Sequence, residues 1–438
     1  MNMNYNEAMK YIMEVGNFGS NYGLDRTLRL LELLGNPQKN LKLIHIAGTN
    51  GKGSTTAMIT KMLNGLGYKV GMYTSPFLEE FEERIQINGE NIPKDVLAEL
   101  VTLIKPSIDK VKEEGYGHPT EFEMITVLML IYFEKEKVDF GVVEVGLGGR
   151  LDSTNVIIPI VSVITSISFD HTNLLGNSLK EIAGEKCGII KKDIPTVVFP
   201  QYEEVKEVII NKCNIENSRL YEINLNDVEL LEVAKGDKPF QRVKITGINQ
   251  YILDLPLLGE HQIYNLALAI KVLEVIERQG LIILNNESIE KSIREVKWKG
   301  RLEVLGNKPL VVIDGAHNIQ GISTLKTNIE KYFNYENVYL ILGILADKDV
   351  GKMVKEITPL AKKVYAVTPH SIRAELAQDL KKEIIKYNKN CEAYEKYEDA
   401  FNNALKDAKE DDLIIASGSL YMIGDMRKII VKGEESKI

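Results

Sequence analysis

The apolar stretch Leu41–Ala47 runs directly into Gly48-Thr-Asn-Gly-Lys-Gly-Ser54, and from there into a helical pattern that ends near Gly67. A strand, a glycine-rich turn and a helix in immediate succession open a parallel βαβ unit, because parallel neighbours can be joined only by a crossover, usually helical. The alternation continues through strand candidates Val138–Val145, Ile160–Thr165 and Thr196–Phe199, with a clear helix period over Leu266–Ile276. From about Val205 to Leu255 the chain is more polar and alternates weakly, which reads as an antiparallel or irregular insertion. A second series starts after Trp298-Lys-Gly-Arg301, with strands expected at Leu310–Ile313, Val338–Leu342, Lys363–Val367 and Asp412–Ala416. The expected fold is α/β: a P-loop ATPase-type, mainly parallel sheet domain over residues 1–297, then a smaller Rossmann-like α/β domain over 298–438.

The glycine run carries the most chemistry. Backbone N–H groups of such a turn can surround a phosphate chain, the following helix adds its positive end, and Lys52 can reach the outer phosphates. The strict G-x-x-x-x-G-K-[ST] pattern is not met: Ile46 stands at its first glycine, and Gly53 separates Lys52 from Ser54. The competing reading is a turn with a solvated lysine; the strand–turn–helix context favours phosphate. Glu144 ends an apolar strand just before Gly146-Leu-Gly-Gly-Arg150, at the strand end where open α/β sheets bind ligands, and is a natural magnesium ligand. The glycines after it fail as a dinucleotide fingerprint because Leu151 occupies the third glycine position. His171, after the strand Ile160–Thr165, reads as a metal ligand, a base or a satisfied loop residue, and the residues alone favour the last. On spacing alone Lys186 reads as a surface charge or ion-pair partner. Asp314-Gly-Ala-His-Asn318, Ser417-Gly-Ser419 and Arg301 mark a ligand-facing edge on the second domain, against a reading as ordinary turn chemistry.

Lys plus Arg number 54 and Asp plus Glu 62, a formal charge of −8. Nucleic acid is therefore not expected as the main partner, since counterion release needs clustered cations. An anionic small substrate stays compatible where a pocket or metal reverses the field locally. Cys187, Cys213 and Cys391 form no C-x-x-C pair, so neither a disulfide framework nor a zinc site is expected. The first residues lack a signal-peptide pattern, and apolar runs such as Val338–Ala346 fall far short of the roughly 20 residues that span a bilayer. A cytoplasmic protein with no membrane partner is the expectation.

Six motifs occur in order: Gly48–Ser54, Glu144–Asp152, Thr165–Thr172, Ile182–Lys186, Gly300-Arg301 and Asp314–Asn318. Together they resemble folylpolyglutamate synthase and its relative dihydrofolate synthase, within the Mur ligase superfamily, from about Tyr11 to Gly424. The resemblance implies an ATP-dependent ligase that converts a folate γ-carboxylate to an acyl phosphate and couples it to L-glutamate. Dihydropteroate is a further or alternative acceptor, and a monomer is implied. It implies that Gly51, Lys52, Gly53 and Ser54 bind ATP phosphates. Ser75 and Glu144 would hold one Mg²⁺ with His171 at a second, and Lys186 would be carbamylated. Lys52, Glu144, His171 and Lys186 form the implied catalytic set. Asn265, Arg301 and Asp314 match nucleotide contacts, while His317 and Ser417 match the glutamate side. Tyr22, Gly23, Leu24, Thr120, Phe122, Leu151, Asp152 and Ser153 match the acceptor pocket. Phe77 departs from the pattern, where His is expected, and Ser153 stands where Ala is common.

Two other readings are weighed. A guanine-nucleotide switch would carry Asn-Lys-x-Asp, and none of the Asn-Lys pairs at 211, 307 and 388 completes it. A cell-wall-type Mur ligase usually carries a further N-terminal domain, for which the residues before the glycine loop leave no room.

Overall fold

The computed structural model describes residues 3–15, 23–235, 239–371 and 373–435. Tyr22 lies outside them. Two compact units divide the chain: Met1–Glu229 with Val243–Leu253 and Ile263–Val296, and Leu230–Arg242 with Asp254–Gln262 and Lys297–Ile438.

The first unit is organised by an eight-stranded sheet. Its strands are β1 (Leu43–Ala47), β2 (Val70–Tyr73), β3 (Ile85–Ile87), β4 (Glu90–Asn91), β5 (Phe140–Glu144), β6 (Val161–Ile164), β7 (Thr196–Val198) and β8 (Leu220–Glu222). The order is β4-β3-β2-β5-β1-β6-β7-β8, parallel from β2 to β8, with β3 and β4 antiparallel at one edge. Central strands β1 and β5 are buried along their whole length, as expected when helices cover both faces. One face carries the helices Lys94–Glu113 and Glu121–Lys135, whose apolar residues join Leu43, Tyr73 and Val143 in one core. Helices Leu179–Lys186 and Glu203–Ile215 pack with Ala47, Ile164 and Val198 in another.

The expected insertion over Val205–Leu255 is thus corrected in its first part. Residues 203–222 form a regular helix and strand β8 of the main sheet. Alternation was weak because Leu220 and Tyr221 lie half-buried at the sheet edge. The rest forms a three-stranded sheet of β9 (Val228–Ala234), β10 (Phe240–Thr246) and β11 (Gln250–Leu255), with β10 central. In β10 burial alternates residue by residue, the period of a one-sided sheet.

The second unit holds a six-stranded sheet of β12 (Glu303–Asn307), β13 (Leu310–Asp314), β14 (Val338–Leu342), β15 (Lys363–Val367), β16 (Cys391–Tyr394) and β17 (Leu413–Ser417). Its order is β12-β13-β17-β14-β15-β16; only β12 runs antiparallel. Among the described residues no helix is long and apolar enough to cross a membrane.

Helix Glu121–Lys135 sits close enough to its sheet that two strand positions must be glycine. A Cβ on Gly71 would fall 2.6 Å from the Phe133 ring, and one on Gly141 would fall 3.2 Å from the same ring and 2.5 Å from Leu43 Cδ2 on the neighbouring strand. Overpacking of this kind costs about 1–3 kcal/mol. Gly71→Ala should therefore lower the unfolding free energy by that amount, read as a lower midpoint of chemical denaturation. Gly184→Ala, whose Cβ would meet nothing within 4 Å, should be neutral or slightly stabilising. Equal midpoints for Gly71→Ala and the parent would refute this packing.

Candidate active site

Strand β1 lies between β5 and β6, and its register pairs Ile46 with Glu144 and Ala47 with Ile164. Three neighbouring parallel strands therefore end side by side. Past those ends lie the glycine loop after β1, Glu144 at the tip of β5 and the segment Thr165–His171 after β6. This is the edge where open parallel sheets bind ligands.

The loop turns into the helix Lys52–Gly65, which starts two residues earlier than the pattern suggested. Gly51 is its N-cap at φ 88°, and a Cβ there would fall 2.5 Å from Asn265 Oδ1. Only glycine satisfies both the left-handed backbone and this close approach. Asn265, on the helix Glu260–Arg278, is thereby placed against the loop. Ser54 is buried in the first helical turn. The loop is pinned from its other side: Thr49 N–H donates to Ser166 O at 2.7 Å, and Ser168 N–H donates to Thr49 Oγ1 at 3.1 Å.

Two lysines converge on one carbonyl. Lys52 Nζ donates to Gly48 O and Thr49 O, both at 3.2 Å, and Lys186 Nζ donates to the same Gly48 O at 2.7 Å. The expectation from spacing that Lys186 is a surface charge or ion-pair partner is corrected here. It ends the helix Leu179–Lys186 with only 4% of its surface exposed, because that helix packs inward on the sheet edge. Burial, reinforced by Lys52 and opposed by Asp170 and Asp152, brings its pKa down to about 7.

Glu144 is buried, and its Oε2 accepts the Ser75 N–H at 3.2 Å, so carboxylate and serine are neighbours. His171 takes a left-handed backbone, φ 48°, as N-cap of a single helical turn. Its N–H donates to Asp170 Oδ1 at 2.9 Å, and its Nε2 lies 3.9 Å from Asp170 Oδ2. Among the described residues no group of three or more His, Cys, Asp or Glu side chains forms a metal cage.

The glycines after Glu144 seat a loop on a helix. A Cβ on Gly149 would fall 2.8 Å from the backbone oxygens of Glu185 and Lys186, so the turn lies directly against the residue that carries the buried amine. The loop ends at Asp152, buried and N-capping the turn Ser153–Val156. Its carboxylate accepts the N–H groups of Leu147 at 2.8 Å and Thr154 at 3.0 Å. Burial raises the Asp152 pKa against these donors. Leu151 is half-buried and Ser153 buried beside it.

Of the other expected pocket residues, Leu24 is the N-cap of the helix Asp25–Leu33, and Gly23 has open space around it. Phe122 lies against Gly146 and Tyr73. The Thr120 side chain is engaged in a capping box with Glu123. Glu123 in turn forms a buried ion pair with Arg26 at 2.8 Å, which sequence reasoning missed. The sequence signal was a Thr-x-x-Glu ahead of an apolar run.

In the second unit, β13 and β17 pair Asp314 with Ser417 at their ends. Asp314 is buried and accepts the N–H groups of Leu302 and Ala316, both at 2.9 Å. Burial raises its pKa, with Arg301 opposing. Arg301 Nη1 lies 2.8 Å from where a Cβ on Gly315 would sit. His317 Nδ1 donates to Gly315 O at 2.8 Å, and Ser417 is fully buried with its hydroxyl toward Ala316 O. Ser419, two residues on, has a buried hydroxyl without a hydrogen-bond partner among the described residues.

Family models for the Mur ligase middle domain and the Mur ligase glutamate ligase domain match residues 46–273 and 300–420. The chain is 36% identical over 427 residues to a dihydrofolate synthase/folylpolyglutamate synthase of Bacillus subtilis, covering 97% of this chain and 98% of that one. Its structure is similar to that of Mycobacterium tuberculosis folylpolyglutamate synthase complexed with ADP and AMPPCP, with a TM-score of 0.88, 29% identity, and 98% and 99% of the two chains covered. It is likewise similar to a folylpolyglutamate synthase–AMPPCP–folate complex, with a TM-score of 0.85, 34% identity, and 98% and 100% covered. The chain belongs to the folylpolyglutamate synthase/dihydrofolate synthase family of Mur ligases.

Proposed function

We propose that this chain is an ATP-dependent amide-forming ligase that adds L-glutamate to the γ-carboxylate of a folate, releasing ADP and phosphate. The observation that carries the reading is the pair of amines, Lys52 and Lys186, gathered at the Gly48 carbonyl on the glycine loop. A carboxylate is a poor electrophile. Its oxygen must bond to the γ-phosphorus as the bridge to ADP breaks, and the amine of glutamate then displaces phosphate from the acyl carbon. Two anions meet in the first step, so cations and oriented N–H groups are required.

In this reading Lys52 neutralises the phosphates held by Gly51, Gly53 and Ser54, with Asn265 against the same loop. Glu144 and Ser75 offer hard oxygens side by side, which fits Mg²⁺ shared with phosphates better than an all-protein cage. His171 is assigned to a second ion. Mg²⁺, when bound, would polarise the transferring phosphoryl group. Lys186 is assigned as a carbamate: its neutral amine bonds to CO₂ and loses a proton, turning a buried cation into a carboxylate-like group. Arg301 and Asp314 are assigned to the nucleotide, His317 and Ser417 to glutamate. Tyr22, Gly23, Leu24, Thr120, Phe122 and Leu151–Ser153 are assigned to the acceptor. The double name of the Bacillus subtilis relative supports dihydropteroate as a second acceptor. Three buried free cysteines fit a cytoplasmic setting, and the protein is read as a monomer acting there.

Lys52→Ala should reduce ligation at least about 100-fold, read as ADP release that needs both an acceptor and glutamate. Offering dihydropteroate and tetrahydrofolate separately in that assay identifies the acceptor. Parent-like turnover in Lys52→Ala, or ADP release indifferent to both substrates, would overturn the ligase reading.

Lys186 sets a pH dependence. Burial lowers its pKa to about 7, so the neutral amine grows as pH rises through 7, and the carbamate should grow with it from pH 6 to 8. A ¹³C carbamate resonance with labelled bicarbonate should follow that direction and be absent in Lys186→Arg. A resonance that persists in that variant would remove the assignment.

For Glu144→Gln, the magnesium concentration giving half-maximal activity should rise about tenfold, the loss of one charged ligand contact being worth roughly 1.5 kcal/mol. An unchanged magnesium titration would exclude the ligand role.

A further inference from the structure

His45 is an anomaly in β1: an imidazole at the centre of an all-apolar strand, with no exposed surface. Its Nε2 lies 2.8 Å from Thr154 Oγ1, and Thr154, itself fully buried, turns its hydroxyl onto Asp152 Oδ1. Two residues of one turn and a third 109 positions away thus form one continuous chain inside the protein.

The chain has a direction. Burial raises the Asp152 pKa, and the N–H groups of Leu147 and Thr154 oppose that shift, so the carboxylate form depends on the donors gathered around it. A carboxylate only accepts, so the Thr154 proton goes to Asp152. The hydroxyl oxygen is then left to accept, and His45 must donate through Nε2–H. His45 Nδ1 carries the lone pair and has no hydrogen-bond partner. The reverse arrangement would bury an unpaired Nδ1–H, the rarer defect. Desolvation, with Lys191 adding to it, lowers the His45 pKa to about 3, so the ring stays neutral. A hydroxyl that accepts while it donates is a better donor, so the imidazole strengthens the bond to the carboxylate.

We infer that His45, acting through Thr154, is a positioning residue that holds the Asp152 carboxyl group oriented toward the acceptor acid. This rests on the proposed placement of Asp152 in the acceptor pocket. The part of a folate acceptor that suits a fixed carboxylate is its flat, N–H-bearing heterocycle, which can donate to it. Neither His45 nor Thr154 touches the acceptor in this scheme; they set the group that does.

The test uses the full-length enzyme in steady-state ligation, with the unfolding midpoint of each variant recorded. Thr154→Val removes the relay hydroxyl at nearly constant volume, and Thr154→Ser keeps it. His45→Leu breaks the donor end. Thr154→Val and His45→Leu should raise the acceptor KM about tenfold, the worth of one hydrogen bond to a charged group, with the ATP KM within twofold. Thr154→Ser should return the acceptor KM toward the parent value. If His45→Leu fails to fold, the Thr154 pair decides alone. Asp152→Asn separates the two levels of the reading. An unchanged acceptor KM there removes Asp152 from the pocket. A raised KM there with a parent-like KM in Thr154→Val removes the relay only. In the parent protein, ¹⁵N shifts should show His45 protonated at Nε2; a proton on Nδ1 would overturn the chain.

Discussion

Two amines sharing one carbonyl set the terms for the rest of the first unit. Lys52 and Lys186 both donate to Gly48 O, and Lys52 adds to the burial that lowers the Lys186 pKa. Like charges so close, one of them nine-tenths or more buried, are not a stabilising feature of a fold. The fold carries the strain because it is held elsewhere: the helix bearing Lys186 is capped by Ser178 and packed through Ile182 and Ala183, and the loop bearing Lys52 is sewn to Ser166 and Ser168. With Lys186 as the proposed carbamate the repulsion would be removed, leaving Lys52 as the cation that meets an arriving polyphosphate. A site of this kind stores its complementarity in the unliganded state.

The sheet order makes the convergence possible. Because β1 sits between β5 and β6, the loop after it is flanked by the ends of strands that arrive from opposite sides of the sheet. Glu144 comes from one side, the Thr165–His171 segment from the other. The Thr165–Ile167 backbone is fixed by Gln201, whose amide donates to Thr165 O at 2.8 Å and accepts from Ile167 N–H at 3.1 Å. The second unit repeats the logic at smaller scale. Adjacent strand ends bring Asp314 beside Ser417, and Arg301 limits how far burial raises the Asp314 pKa.

What could be read from the sequence follows from how local each cause is. Continuous apolar runs matched β14 and β15 to the residue and β1 and β5 to within two residues at either end, since burial on both faces leaves an unbroken apolar signal. Strands β3 and β4 are three and two residues long and carry no period to detect. Strand β8 was lost in a polar stretch because it lies at the sheet edge. The glycine loop was legible because its conformation demands glycine at Gly51 whatever surrounds it. Lys186 was misread from its spacing because its burial is set by a helix packed against a sheet, which no local pattern records. Thr120 entered only through the resemblance; its capping box with Glu123 is local and carried by Thr-x-x-Glu, whereas the pairing of Glu123 with Arg26 is a fact of tertiary contact.

The turn between Glu144 and Asp152 shows how little freedom the site has to diverge. Its two carboxylates begin and end a single glycine-rich loop, each supplied with its own N–H donors, Ser75 for one and Leu147 with Thr154 for the other. Between them Gly149 lies against the backbone of Glu185 and Lys186, so the loop cannot lift without exposing the buried amine. Any side chain at that position would push the helix and the loop apart, and both carboxylates would move together. A change in acceptor preference that leaves phosphate chemistry intact is therefore not expected from a substitution at Gly149. The helix starts at Leu24 and Thr120 are tied to each other by the Arg26–Glu123 pair, and the second touches the loop through Phe122 on Gly146.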